Sequence, residues 1–276
     1  LEASARETIR RRGGEQVLSD TMEWHRFKTG GLAPLGWPPE FKNFLTDHAC
    51  GFQSGKYAYS LQDWIDIRKT WQFACLILEG KWRNSEPDSQ THASTHALEV
   101  GLILAMARTS RDEIIAGLLH DAQEDVAPVR PLVMNEIETC FGPKVGRLIA
   151  SVSEERSPAK QMISVVETFY ARKGAVQSRC LGNRQASTIL AASKIATIQD
   201  GIRYVEEHGR AGILEWSKGD YHSNHRCFAM LEAMFEIARV PRALQREFSS
   251  RLREMERLIE PCRIIDLILP AQRRVS

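Results

Sequence analysis

The chain has 276 residues, of which 43% are hydrophobic and 26% charged, and its net charge is only +2. Such a composition is typical of a globular domain with appendages and excludes a disordered chain, while the small net charge gives no basis for a nucleic-acid partner. No run approaches the roughly 18 apolar residues of a membrane helix, so no membrane partner is expected. Six scattered cysteines without a CxxC pair predict a reducing compartment, the cytoplasm, and no disulfide framework.

Residues 1–60 are predicted to form an N-terminal extension. The first 20 residues are polar and include the basic triplet Arg10–Arg12; a solvated arm is the simplest interpretation, and docking of a polyphosphate or an acidic partner is the alternative. Residues 24–59 combine many glycines and prolines with eight aromatic residues. We therefore expect a loop-rich segment packed onto the body, acting as a structural wrap, a substrate lid or a homo-oligomer contact.

Helical periodicity begins after this extension and continues to residue 260. Apolar residues recur at spacings of three and four over 63–78, and again on the segments that begin at His96 and that lead up to His120. The same pattern predicts further helices over 133–140, 145–152, 167–179, 186–204, 211–237 and 244–259. The sequence thus predicts an all-α domain over 61–260, with a C-terminal tail over 261–276.

The densest set of chemically active side chains lies between His96 and Asp125. His120 and Asp121 open the motif HDAQED, and Glu124 would lie one helical turn further on, on the same face. An antiparallel return between the two helices would bring His96 opposite His120. Imidazole nitrogens and carboxylate oxygens are ligands of borderline and hard divalent cations, so the segment predicts a site for one divalent metal.

This motif carries a resemblance to a known family. HDAQED, with His96 placed 24 positions before His120, resembles the HDxxED pattern and spacing of the alarmone hydrolases in the RelA/SpoT homologue superfamily. FGPKVGRLIASVS, Phe169 with the ARK at 171–173, and EWSKGDYHSNHRCFAMLEAMF are similar to later parts of that family, so the likeness runs from about Trp71 to Phe235. It implies an HD-domain helical bundle and a manganese-dependent hydrolase that removes the 3′-pyrophosphate of guanosine tetra- or pentaphosphate.

The resemblance also implies roles for particular residues. His96, His120 and Asp121 would hold the metal, most simply Mn²⁺. Glu124 and Asp125 would orient or deprotonate a metal-bound water, or protonate the leaving 3′-oxygen. A charged helix end is the structural alternative for this acidic pair.

Two basic pairs are expected to contact the substrate. Lys81 and Arg83 lie in a polar loop where the family places a basic pair, and Arg172 and Lys173 match its Arg-Lys motif. Guanidinium and ammonium groups suit phosphate contacts, and guanidinium also stacks on bases. The alternative for both pairs is a solvated charged surface.

The last metal ligand is where the sequence departs from the family. The family's Lys-Leu-Ala-Asp, followed four residues later by Asn, aligns with Lys194–Thr197, so Thr197 replaces the ligand Asp and Gly201 replaces the Asn. A neutral hydroxyl is a poor ligand for a hard cation. A register three residues later places Asp200 in the ligand position, and three residues is nearly one helical turn. Asp200 is therefore the candidate for the fourth ligand, and the alternative is a site without this ligand.

Two other functions remain open on the sequence alone. Thr197 and Gly201 favour a degenerate member of the fold that binds a nucleotide without hydrolysing it. An HD phosphohydrolase of another nucleotide or phosphoester is the second alternative, because a fold and a metal site do not define a substrate.

Overall fold

The computed structural model describes residues 59–78, 93–121, 130–154, 165–210, 212–217 and 221–259, and helices are the only regular elements in these ranges. We number them in chain order as α1 (Leu61–Ile77), α2 (Ala93–Met106), α3 (Arg111–Leu118), α4 (Arg130–Phe141), α5 (Pro143–Val152), α6 (Val165–Leu181), α7 (Arg184–His208), α8 (Gly212–Trp216), α9 (Tyr221–Ile237) and α10 (Arg242–Ile259). None of them combines the length and apolarity that crossing a membrane requires. The predicted all-α fold is confirmed. Most of the N-terminal extension and the C-terminal tail lie outside the described residues.

Side-chain caps explain where several helices begin. Ser60 and Asp63 form a reciprocal capping box at the start of α1, and Ser110 and Glu113 form another at the start of α3. The Asn183 side chain accepts hydrogen bonds from the first backbone amides of α7. These side chains satisfy amides that have no partner within the helix. The caps of α1 and α7 each lie three residues before the starts that periodicity predicts, at 63 and 186.

Two predicted helices differ from the observed ones. The helix expected to run through His120 towards Glu124 ends at Leu118, so His120 and Asp121 follow α3 in a turn. The single helix expected over 211–237 is two helices, α8 and α9. Periodicity reports the buried face of a helix and does not by itself mark where the helix ends.

The core is built around α7. Of its 25 residues, 14 are buried, and many of these are Ala, Ser or Gly. Small side chains allow neighbouring helices to approach closely, and α7 packs against α2, α3, α5, α6 and α10 among others. Ser193, Thr197 and Asp200 therefore lie on a helix whose position is fixed from several directions.

A pair of glycines sets the approach of α2 to α3. A Cβ on Gly117 would lie 2.3 Å from Cδ1 of Leu104, and a Cβ on Gly101 would lie 2.6 Å from Cδ2 of Leu118. Both separations are well inside van der Waals contact, so each helix presents bare backbone to a leucine of the other. Gly101 follows His96 by five residues and Gly117 precedes His120 by three, so this contact brings the two histidines together.

Candidate metal centre

The His120 side chain lies just after α3 and contacts the last turn of that helix. Its Nδ1–H donates to the backbone carbonyl of Gly117 at 2.8 Å. A histidine in the last turn of a helix commonly satisfies a terminal carbonyl in this way. Because a carbonyl oxygen only accepts, this contact places a proton on Nδ1, so that in the neutral form of the ring Nε2 carries the lone pair. The residue that terminates the helix thereby presents a nitrogen able to bind a metal.

His96, His120 and Asp121 lie together. The two rings have centroids 5.2 Å apart, and both are buried, at 2% and 5% exposure. Asp121 reaches both histidines, with Oδ1 3.1 Å from Nε2 of His120 and Oδ2 3.9 Å from Nε2 of His96. One ligand atom from each residue lies within 4.8 Å of the others.

This donor set fits a divalent cation. Two ligand atoms that are each ~2.1 Å from one ion lie roughly 3.0–3.4 Å apart in octahedral or tetrahedral geometry. Of the observed separations, 3.1 Å lies within that range and 3.9 Å is longer, so small rotations would close the three residues on one ion. Two imidazole nitrogens and one carboxylate are the chemistry expected of Mn²⁺, Fe²⁺ or Zn²⁺.

Asp200 faces the other side of the His96 ring. Its Oδ2 lies 3.7 Å from Nδ1 of His96, whereas Asp121 faces Nε2. Asp200 therefore does not join the group of His96, His120 and Asp121, but forms a second group with His96 and Glu99. The second group has a cation of its own, because the Arg203 guanidinium binds Oε1 of Glu99 at 2.8 Å and also contacts Oδ1 of Asp200. These two acids outweigh the effect of burial and raise the pKa of Arg203 above its ordinary value.

Ser193 is a site residue that sequence reasoning missed. Its hydroxyl lies 3.2 Å from Nε2 of His120, and with the proton of the neutral ring on Nδ1 it would donate to Nε2. Thr197, one turn later, donates its own hydroxyl to the backbone carbonyl of Ser193 at 2.8 Å. The only signal in the sequence was the helical spacing that places Ser193, Thr197 and Asp200 on one face.

The second departure from the family, at Gly201, has a packing explanation. A Cβ at this position would lie 2.9 Å from Cζ2 of Trp216 and 3.0 Å from Cε of Met255. An asparagine side chain would not fit where α7 packs against α8 and α10.

Arg172 and Lys173 both approach Glu154, the last described residue after α5. Lys173 donates a hydrogen bond to Oε1 of Glu154, and the Arg172 guanidinium lies 3.8 Å from Oε2. The two cations are half-buried, at 33% and 25% exposure, instead of forming a fully solvated face. Burial alone would raise the pKa of Glu154, but Lys173, Lys194 and Arg172 together hold it below its ordinary value. The result is a basic cluster around one carboxylate.

Hydrogen bonds join the segment that carries Glu154 to His120. The Ser153 hydroxyl donates to the backbone carbonyls of His120, at 3.0 Å, and Ile149. The Arg179 guanidinium donates to the carbonyls of Ser151 and Ser153. Glu154 is therefore one residue away from a direct contact with the backbone of His120.

A polar cavity of about 440 Å³ lies between α6 and α9 and is lined by Tyr170, His222, Ser223, His225 and Arg226. His225 also pairs with Glu256 of α10. The sequence assigned no role to His222 or His225. Lys81, Arg83, Glu124 and Asp125 lie outside the described residues, so their predicted roles stay predictions.

Comparison with known proteins identifies the class of domain. Residues 71–179 match the family model of the HD domain, the class of domain that the HDAQED motif predicted. A curated relative, the guanosine-3′,5′-bis(diphosphate) 3′-pyrophosphohydrolase of Spiroplasma citri, is 30% identical over 108 residues. That match spans 39% of this chain and 13% of the relative's length. Its name agrees with the family that the motif predicted.

One solved structure also aligns with most of the chain. It is described as a metazoan ortholog of SpoT that hydrolyses ppGpp, and it is 20% identical to this chain with a TM-score of 0.46. The alignment covers 74% of this chain and 97% of the other.

Proposed function

We propose that this chain is a metal-dependent phosphohydrolase that removes the 3′-pyrophosphate of (p)ppGpp in the cytoplasm. The observation that carries the proposal is the convergence of His96, His120 and Asp121, with ligand atoms within 4.8 Å of one another. The name of the Spiroplasma relative and the HD-domain match support the substrate class.

A single divalent cation, proposed as Mn²⁺, would be held by Nε2 of each histidine and by the Asp121 carboxylate. When bound, it would lower the pKa of a coordinated water and withdraw charge from the phosphoryl oxygens. The contact of His120 Nδ1 with the Gly117 carbonyl supports this role, because it leaves Nε2 as the ring nitrogen that can bind the metal. Asp121, at 31% side-chain exposure, is the most accessible of the three ligands. The site would therefore open to solvent and substrate on the Asp121 side.

Six other residues complete the proposal. Arg172 and Lys173 would bind the substrate's phosphates, exchanging the Glu154 carboxylate for phosphate oxygens of higher charge. Glu124 and Asp125 follow Asp121 in the sequence, and we propose that they orient or deprotonate the attacking water, or protonate the leaving 3′-oxygen. Lys81 and Arg83 remain proposed contacts to the base or phosphates.

Metal analysis and a nucleotide panel test this function. Protein purified without chelator should bind about one equivalent of Mn²⁺ and release pyrophosphate from nucleotides with a 3′-pyrophosphate, but not from nucleotides phosphorylated only at the 5′ position. His120→Ala should abolish both properties. His208→Ala is the matched control, because the His208 Nδ1 also contacts a backbone carbonyl of its own helix, at 3.1 Å, on an exposed side chain. A wild-type protein with metal but with equal rates on both nucleotide classes would contradict the proposed substrate.

One observation favours the non-hydrolysing alternative. The described group provides only one anionic ligand, Asp121, for a divalent charge, and the Thr197 hydroxyl donates to the backbone of α7. If the wild type binds metal too weakly to turn over, Thr197→Asp should raise its metal content and its 3′-pyrophosphatase rate. Thr139→Asp is the control, because Thr139 makes the same hydroxyl-to-carbonyl bond on an exposed face of α4. An inactive Thr197→Asp variant that binds the nucleotide would support a pure binding protein.

A further inference from the structure

We propose that Asp200 is a positioning residue and not a metal ligand: its carboxylate faces Nδ1 of His96, favours the proton on that nitrogen, and so keeps the Nε2 lone pair of the ring available for the metal. This inference deepens the proposed function, since it concerns the same site. It assigns to Asp200 a role different from the fourth-ligand role predicted from the sequence.

The first step is the position of the two carboxylates around His96. Asp200 Oδ2 lies 3.7 Å from Nδ1, and Asp121 Oδ2 lies 3.9 Å from Nε2. The two nitrogens are on different edges of the imidazole. A metal bound at Nε2 beside His120 and Asp121 therefore has the ring between itself and Asp200. From that position Asp200 cannot complete the coordination of the ion while it remains at Nδ1.

The second step concerns the single proton of the neutral ring. A metal at Nε2 requires that the proton be on Nδ1, where it points towards Asp200. The Asp200 side chain is only 9% exposed, whereas Asp121 is 31% exposed. A buried carboxylate gains more from a hydrogen bond than a hydrated one, because less water competes for it. The buried acid therefore favours the tautomer that the metal needs, even before the metal binds.

The third step is what holds Asp200 in place. Arg203 contacts Oδ1 of Asp200 and binds Glu99 at 2.8 Å. His96 and Glu99 are three residues apart on α2, and Asp200 and Arg203 are three residues apart on α7. Two helical faces thus meet through four side chains, and the guanidinium directs the other oxygen of Asp200 towards His96. A carboxylate behind a metal-binding histidine sets the orientation and basicity of the ring, and its loss typically weakens metal binding by ~10–100-fold.

The same contacts account for the second cluster of possible ligands. His96, Glu99 and Asp200 alone would resemble a metal site, but the Arg203 guanidinium already supplies a cation to both acids. A second metal would have to displace that guanidinium. We therefore expect one metal per chain.

The test reads the tautomer of His96 in the metal-free protein. Two-bond ¹H–¹⁵N correlation of the imidazole nitrogens distinguishes the protonated nitrogen from the bare one, at a pH of about 8.5, some two units above the ordinary histidine pKa. In the wild type we expect the proton on Nδ1 of His96. In Asp200→Ala we expect a shift towards the Nε2–H form, and in Asp200→Asn a partial return, because the amide oxygen also accepts a hydrogen bond. Mn²⁺ affinity should fall ~10–100-fold in the alanine variant.

Asp66→Asn is the matched control. Asp66 also pairs with an arginine, Arg111 at 2.8 Å, but no contact links it to a histidine in the described residues. This variant should leave the His96 tautomer unchanged. An Nε2–H tautomer of His96 in the wild type, or a tautomer that Asp200→Ala does not move, would overturn the proposal. Because this readout needs no metal and no turnover, its failure is distinguishable from failure of the hydrolase function, which metal content and nucleotide release report.

Discussion

The Ser193 hydroxyl lies beside Nε2 of His120, the nitrogen that a metal would bind. It contacts Nε2 of His120 at 3.2 Å, so metal binding must break this hydrogen bond. Ser193→Ala should therefore cost the metal-free protein about 0.5–1.5 kcal/mol of stability. It should also strengthen Mn²⁺ binding by up to roughly ten-fold, the equivalent of 1.4 kcal/mol.

Ser187→Ala separates this effect from the loss of a buried hydroxyl in general. Ser187 is also buried on α7, and its hydroxyl donates to the backbone carbonyl of Cys180 at 2.8 Å. It should destabilise the protein by a similar amount and leave metal affinity unchanged. Isothermal titration with Mn²⁺ measures the affinities, and weaker binding by Ser193→Ala would instead indicate that Ser193 supports the bound metal.

Glu154 should increase the free energy of unfolding near neutral pH, and this contribution should be lost in acid. The neighbouring cations hold its pKa in the folded state below the ordinary value, which is about 4.3 for glutamate. A carboxyl with a depressed folded pKa stabilises the fold above the unfolded pKa, and this contribution disappears as the pH falls through the folded pKa. Urea unfolding should therefore show a larger difference between the wild type and Glu154→Gln at pH ~6 than at pH ~3. Glu206→Gln, at an exposed position of α7, should show no such dependence.

At the scale of elements, the close contact between α2 and α3 should require glycine at positions 101 and 117. In Gly101→Ala the new Cβ would lie 2.6 Å from Leu118, and overpacking of this kind costs about 1–3 kcal/mol. Separation of the helices should also displace His96 from His120 and weaken metal binding. Gly174→Ala on α6 is the control, because a Cβ added at Gly174 would meet no neighbouring atom within 4 Å.

The control should gain about 0.5–1 kcal/mol, since alanine is the better helix former. Denaturant unfolding and metal titration of the two variants give both quantities. Equal stability changes in Gly101→Ala and Gly174→Ala would show that α2 and α3 do not need the close approach.

The basic pair on α6 should act mainly on substrate binding. Replacing Arg172 and Lys173 by methionine keeps their aliphatic packing and removes both charges. Loss of charge-assisted hydrogen bonds of about 1.5–3 kcal/mol each should raise KM at least roughly ten-fold, with a smaller effect on kcat. The adjacent pair Arg68 and Lys69, exposed on α1, offers the same double substitution as a control. An unchanged KM would return Arg172 and Lys173 to a structural role around Glu154.

At the scale of the whole molecule, metal binding should stabilise the fold. A ligand that binds only the folded state raises the free energy of unfolding by about 2.7 kcal/mol when its free concentration is 100 times Kd. We expect Mn²⁺ to shift the urea midpoint of the wild type accordingly, and a chelator to reverse the shift. His120→Ala should not respond. A wild type whose midpoint ignores Mn²⁺ would contradict a metal site at these residues.

Much of the fold could be predicted because apolar periodicity reports which helix faces are buried. The helices over 63–78 and 145–152 lie within a residue or two of α1 and α5. The end of α3 could not be predicted, because it depends on a hydrogen bond from the His120 side chain to Gly117. Such hydrogen bonds do not change the spacing of apolar residues, so periodicity cannot reveal them.

The site, like the fold, has residues that the sequence predicted and residues that it missed or misplaced. The motif and its spacing predicted that His96, His120 and Asp121 could meet. Ser193 was missed, and Asp200 was placed on the right face of α7 but not at the nitrogen of His96 that it contacts. Helical spacing predicts the face of a helix. It does not predict which edge of a ring on another helix that face meets.

The order in which these contacts form during folding follows from their distance along the chain. His96 and His120 are 24 positions apart, whereas Ser193 and Asp200 lie 73 and 104 positions from the histidines they contact. Closing the longer loops costs more entropy, so we expect α2 and α3 to pair before α7 docks. Gly101→Ala should then slow folding, while Ser193→Ala should mainly speed unfolding, as stopped-flow kinetics would show. In a folding chain, a metal ion would thus meet its three ligands before the serine that competes for one of them and the aspartate that orients another.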